Sequence, residues 1–211
     1  MGSGIVVVDH GAGNLRSVLR AIERVGYRPL LSTRPEDVLA ADALILPGQG
    51  AAADTMRHLR DGGLVEPVKQ YISSGRPFLG VCIGLQTLMT LSEEHGEQAC
   101  LDVVPGRVRR LRGGDGLKIP HMGWNTVRQA RPHPIFRGIP DQSYFYFVHS
   151  FVVEPDDASV TLGVTEYGEP FAAMIARDNI VATQFHPEKS GAHGLQIYTN
   201  FLSEALAGGA K

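Results

Sequence analysis

Cysteine is scarce in this chain: 211 residues hold only Cys82 and Cys100, too few for the disulfide framework of a small secreted protein. A reducing compartment is expected, and any thiol chemistry falls to one of two side chains. Charge of one sign is lacking too. Lys and Arg number 20 against 22 Asp and Glu, a formal net charge of -2, with no run that would grip nucleic acid or anionic lipid. No apolar stretch approaches the roughly 20 residues that span a bilayer. The N-terminus has no basic segment leading into a long apolar one, so a cytoplasmic protein is expected. Length is the last shortage: the chain suits one α/β domain, 1–211, and leaves no room for a second catalytic domain. Nothing in it implies a cofactor or a metal.

What is present is ordinary globular composition, 43% hydrophobic, arranged in a repeating grammar. Ile5-Val6-Val7-Val8 reads as a strand buried on both faces, and Gly11-Ala12-Gly13 as a turn. Leu15, Val18, Leu19 and Ile22 then recur at helical spacing. The same order returns at Ala43 to Pro47, and again at Pro77 to Val81 ahead of an apolar helix from Ile83 to Leu91. Strands alternating with helices predict a central, largely parallel mixed sheet flanked by helices, as in flavodoxin-like folds. Beyond residue 100 the strands come without helices, at Val103–Leu111, Tyr144–Val148, Val160–Thr165, Phe171–Ala176 and Ile180–Phe185. An antiparallel extension is the simplest expectation, closed by an amphipathic helix from Leu195 to Leu206.

Two short segments carry chemistry. Gly80-Val81-Cys82-Ile83-Gly84 follows a strand and opens a helix, the setting of a nucleophile elbow. Glycines on either side let backbone and substrate approach closely, and the helix start points free N–H groups at the sulfur and favours thiolate. A small buried cysteine at a tight turn is the other reading. Further on, Phe185-His186-Pro187-Glu188 places a histidine where a strand ends. Pro187 keeps His186 out of helical geometry, and Glu188 can fold back to orient the imidazole as the acid of a triad does; a plain polar turn fits the same residues. His58, His95, His133 and His193 look like surface or turn residues.

Taken together, Gly-x-Cys-x-Gly and a distant His-Pro-Glu resemble the class I glutamine amidotransferase family. The resemblance extends to Pro47-Gly48-Gln49-Gly50, similar to that family's oxyanion strand, and to Gln86, where the family recognises substrate. Within the family it points to the glutaminase subunits of histidine biosynthesis, through Asp9 to Leu15, Ile119-Pro120-His121-Met122-Gly123-Trp124-Asn125, Tyr146 to Phe151 and Gln184 to Gly191. His10 departs from it, since tyrosine is common there, on a loop expected to face a partner.

The resemblance implies Cys82 as nucleophile, His186 as acid and base and Glu188 as its orienter. It further implies N–H groups of Ile83 and of Gly48, Gln49 and Gly50 as oxyanion donors, and Gln86, Ser150 and Phe151 as holders of the amino-acid end of glutamine. The implied partner is a (β/α)₈-barrel cyclase subunit that consumes the ammonia in a heterodimer, with Asn14, Met122, Trp124 and Lys189 as candidate contacts. Trp124 equally suits a core. Two other readings compete: a glutaminase for pyridoxal phosphate or aminodeoxychorismate synthesis, against which the Pro120 to Asn125 segment argues, and a non-catalytic binding module on the same fold.

Overall fold

Every residue of β1 (Ile5–Val8) is buried, and its side chains alternate between two cores. Val7 packs with α1 (Leu15–Arg24), while Val6 and Val8 pack on the opposite face. The rest of the first half follows the same plan: β2 (Pro29–Ser32), α2 (Pro35–Ala40), β3 (Ala43–Leu46), α3 (Ala52–Asp61), α4 (Val65–Ser73) and β4 (Phe78–Val81). Ile45, Leu79 and Val81 join the first core; Leu44, Leu46 and Phe78 join the second, against Val38 of α2, Met56 and Leu59 of α3 and Val68 of α4. Strands buried on both faces are those a parallel sheet uses. This computed structural model describes residues 4–11, 14–114 and 116–207; Ala12 and Gly13 of the expected turn lie outside them.

After β4 come the single turn α5 (Ile83–Gln86) and then β5 (Leu91–Ser92), β6 (Gln98–Ala99), β7 (Gly106–Arg110), β8 (His121–Gln129), β9 (Ser143–His149), β10 (Phe151–Pro155), β11 (Thr161–Glu166), β12 (Pro170–Arg177), β13 (Ile180–Thr183) and α6 (Gly191–Ala207). The main sheet runs β2-β1-β3-β4-β13-β12-β10-β7-β5-β6, and a branch from β12 continues through β11 and β8 to β9. α6 returns to the first core through Ile197, Tyr198, Phe201 and Leu202.

Two expectations need correction. The segment at 180–185 is no part of the antiparallel extension: β13 pairs parallel with β4, Ala182 beside Gly80 and Thr183 beside Val81. It enters the parallel block as its fifth strand, since β12 supplies a tight antiparallel return that leaves β13 running the same way as β4. The helix expected from Ile83 to Leu91 also stops at Gln86. Its carbonyls are taken by the following segment, with Leu101 N donating to Thr87 O at 2.8 Å and Val103 N and Val104 N to Leu88 O at 3.0 and 2.9 Å. A carbonyl so engaged cannot extend the i to i−4 ladder well. The longest strand, β8, spans His121 to Gln129, where no strand is expected from apolar patterning, because its exposed face carries Met122 and Trp124.

Candidate active site

In parallel sheets of this kind, ligands gather beyond the carboxyl ends of the strands, and four strand ends meet here. β4 delivers Cys82 one residue past its end. The backbone there is unusual, with φ 54 and ψ −104, a conformation costing about 1–3 kcal/mol for a residue with a Cβ. The surroundings enforce it. Cys82 N donates to Thr183 O at 2.7 Å. A Cβ on Gly84 would lie 1.9 Å from Leu46 O, and one on Gly80 would lie 2.8 Å from Gly84 O. The turn at Cys82 is therefore wedged between β3 and β13, and only glycine fits at Gly80 and Gly84.

β13 delivers the histidine. His186 N donates to Tyr146 O at 2.9 Å, and its Nδ1 donates to Glu188 Oε1 at 2.8 Å, both side chains being 1% exposed. Cys82 and His186 line one cavity of about 310 Å³. Burial alone would lower the imidazole, but Cys82 and Glu188 outweigh it and raise the group to about 10. Among the described residues Nε2 nonetheless has no hydrogen bond of ordinary geometry. The sulfur and the ring thus interact electrostatically while standing short of a bond of ordinary geometry.

Glu188 has a second donor. Asn14, expected at a partner surface, sends its Nδ2 to the same Oε1 at 2.5 Å, so two hydrogen bonds fix one carboxylate oxygen. Among the described residues the other, Oε2, is buried without a hydrogen-bond partner. The charge of Glu188 adds to burial in holding the Tyr198 hydroxyl well above its usual range.

The remaining expected residues assemble around the same cavity: Gln49, Gly50, Ile83, Gln86, Ser150 and Phe151 all line it. Gly48 lies just behind, where a Cβ would meet Ile83 Cβ at 2.7 Å. Gly50 has φ +95, a left-handed conformation open to glycine and strained for other residues. The segment from Gly48 to Gly50 therefore crosses directly over the turn at Cys82. Ile83 opens α5, and N–H groups of a first helical turn have no carbonyl one turn back to bond.

Further residues bear on the site. Glu94 brings a carboxylate to the cavity wall and accepts from Ala52 N, at the start of α3, at 3.1 Å. Nothing in its local sequence marks it. His10, expected on a partner-facing loop, is buried, and its Nε2 donates to Pro47 O at 2.6 Å. It holds the carbonyl that begins the 47–50 segment, so it touches the presumed oxyanion strand. His121 and His149 are buried as well. Because Phe151 O can only accept, His149 Nδ1 donates to it at 3.0 Å. His149 Nε2 then accepts from His121 Nδ1 at 3.0 Å, and His121 Nε2 from Asn125 Nδ2 at 3.3 Å. Both rings are neutral, with burial pushing them down to about 3 and about 4.

On the outer face of the β8–β9 hairpin, Met122, Trp124 and Tyr144 are 62%, 54% and 59% exposed. Trp124 is thus no core residue. It stands edge-on to Tyr146, whose ring also receives Lys189 Nζ at 5.8 Å. Among the described residues, no group of three or more His, Cys, Asp or Glu could hold a metal ion, and no helix is long and apolar enough to cross a membrane.

Residues 6–205 match the family described as glutamine amidotransferase class-I. The chain is 51% identical over 202 residues to the imidazole glycerol phosphate synthase subunit HisH of Syntrophotalea carbinolica, covering 93% of this chain and 98% of that protein. It is 47% identical over 202 residues to the subunit of the same name from Dehalococcoides mccartyi strain CBDB1, covering 96% and 98%. The structure of PurLQS from Thermotoga maritima shares the fold, with a TM-score of 0.73 at 17% identity over 97% of this chain and 99% of that one. With the order of nucleophile, histidine and acid and this breadth of similarity in agreement, the chain belongs to the class I glutamine amidotransferases.

Proposed function

We propose that this chain is the glutaminase subunit of an imidazole glycerol phosphate synthase, releasing ammonia from glutamine for a (β/α)₈-barrel cyclase subunit with which it forms a cytoplasmic heterodimer in histidine biosynthesis. The observation that carries the chemistry is the single cavity onto which Cys82 and His186 both open, with Glu188 fixed behind the ring at 2.8 Å.

In this reading the Cys82 thiolate attacks the carboxamide carbon of glutamine. The carbonyl oxygen takes up negative charge and is held by N–H groups of Ile83 and the Gly48-Gln49-Gly50 segment; losing one such donor costs roughly 3 to 4 kcal/mol in comparable enzymes. His186 gives its Nε2 proton to the departing nitrogen, leaving a glutamyl thioester. It then takes a proton from water, which attacks the thioester and expels the thiolate as glutamate forms. Glu188 keeps the proton on Nδ1 between steps, and Asn14 keeps Glu188 in place. The amino-acid end of glutamine lies toward Gln86, Ser150 and Phe151. Among the described residues Gln86 Oε1 is buried with no hydrogen-bond partner, so in this reading it accepts from a substrate N–H, and Glu94 offers its carboxylate to the α-ammonium.

Ammonia that escapes into water is protonated and ceases to be a nucleophile, so delivery needs a docked partner. The exposed face bearing Met122, Trp124 and Lys189 suits that role, since aromatic anchors dominate such contacts. We expect the isolated subunit to be a poor glutaminase, with the glycine-flanked segment 48–50 as the part that shifts when the liganded cyclase docks. The test is ammonia release from glutamine by the native subunit with and without the liganded barrel subunit, beside Cys82→Ala. Release that rises with the partner and vanishes in Cys82→Ala is expected; equal turnover without the partner defeats the activation claim, and release by Cys82→Ala defeats the chemistry.

A further inference from the structure

A buried thiolate needs donors. Cys82 is 3% exposed, so little water reaches an anionic sulfur there, and a poorly solvated charge in such a place is costly. The helix expected behind it is one turn long, which gives a much weaker dipole than the long helix the sequence suggests, because the field grows from aligned peptides. His186 stands on one side of the sulfur without a formed hydrogen bond. A side chain outside the triad stands on another.

β4 and β13 run parallel with Thr183 beside Val81, so the next residue on each chain, Gln184 and Cys82, emerge side by side at the sheet end. The Gln184 side chain is fully buried, and its Nε2 lies 3.7 Å from Cys82 Sγ. The neighbouring bonds determine which way its amide faces. Phe151 O can only accept, so Gln86 meets it with Nε2, at 3.1 Å. The same Nε2 reaches Gln184 at 3.2 Å, and the atom that receives it must be oxygen. With Oε1 turned toward Gln86, the Gln184 N–H groups turn toward the sulfur. His149 Nδ1, donating to the same Phe151 carbonyl at 3.0 Å, steadies the far end of this chain.

We propose that Gln184 is a further catalytic residue, whose side-chain N–H donates to Cys82 Sγ and stabilises the thiolate both as attacking group and as the group expelled from the thioester. The proposal rests on Cys82 being the nucleophile. It explains why a motif residue two positions before the histidine is a buried amide: an apolar side chain of the same length would fill the space and leave the sulfur without this donor.

The test is the pH dependence of Cys82 alkylation by iodoacetamide, in a Cys100→Ser background so that one thiol reports. Gln184→Met keeps length and loses the donor. Gln184→Glu keeps the oxygen that accepts from Gln86, and places an acceptor at the sulfur. Each variant is first checked for native circular dichroism. The alkylation midpoint is expected to move up by about one pH unit, a roughly tenfold slower reaction below both midpoints, with the high-pH plateau unchanged. With glutamine and the barrel subunit, kcat falls about tenfold and KM changes little. A purely structural role would lower the plateau and leave the midpoint in place. A shifted midpoint in either folded variant supports the proposal; an unshifted one in both overturns it. Because alkylation needs no glutamine, native protein that releases no ammonia would sink the glutaminase reading without touching this result.

Discussion

The parallel block and the antiparallel half of this molecule do different work, and they reveal it differently. In the block, β2-β1-β3-β4-β13, position follows from topology: each strand end presents its next residue at one edge, and Cys82 and Gln184 become neighbours because β4 and β13 are neighbours. In the antiparallel half, position follows from polar side chains. Asn125, His121, His149 and Phe151 are joined by directional hydrogen bonds, and the same hairpin shows Met122 and Trp124 to the outside. The block tolerates almost no change in shape, whereas the hairpin exposes the surface a partner would meet.

The sharpest way to break this contrast is to add a methyl group to the block. Gly84→Ala puts a Cβ 1.9 Å from Leu46 O, against backbone that cannot move aside, so overpacking should cost about 3 kcal/mol or more and urea unfolding should show it. A small loss would mean that the nucleophile turn is looser than described.

Next in size is a pH effect with opposite sign in the two halves. His186 sits in the folded protein at about 10 against an ordinary 6.5. Its contribution is complete below pH 6.5 and drains away as pH rises toward 10, on the order of a few kcal/mol. His149 and His121 are held down to about 3 and about 4. Their contribution is complete above pH 6.5 and is lost as pH falls from there toward 4 and then 3. Unfolding free energies measured across both ranges should show a flatter alkaline limb in His186→Gln and a flatter acid limb in His149→Gln. Exchanged limbs would reverse the assignment.

The smallest effect on the fold belongs to the hairpin face. Trp124→Ala should leave the melting transition within about 0.5 kcal/mol of native while weakening binding of the proposed barrel subunit by about 2 kcal/mol, roughly thirtyfold. Titration calorimetry separates the two. Unchanged affinity would remove Trp124 as an anchor.

The contrast also explains what the sequence could show. Ile5 to Val8, Ala43 to Leu46 and Phe78 to Val81 are apolar runs bounded by turns, so the block is legible from pattern, and the glycines flanking Cys82 and the proline after His186 mark the two functional strand ends. β13 has the same apolar signature but no local sign of its direction, because pairing with β4 is a long-range choice. β8 is hidden by its exposed Met122 and Trp124, and the apolar run from Ile83 suggests a longer helix than α5 because the carbonyls that end α5 are claimed by residues 101 to 104. Glu94, Gln184 and the donation from Asn14 to Glu188 are contacts between distant segments; residue type alone gives them no mark.

The central claim is that Cys82 carries the glutamyl group during turnover. Acid quenching of the native subunit while it consumes glutamine beside the proposed, liganded barrel subunit, followed by peptide mass spectrometry, reads this directly. One glutamyl adduct on the peptide containing Cys82, absent from Cys82→Ala, is the predicted result; steady ammonia release with no adduct at Cys82, or undiminished release by Cys82→Ala, would contradict it.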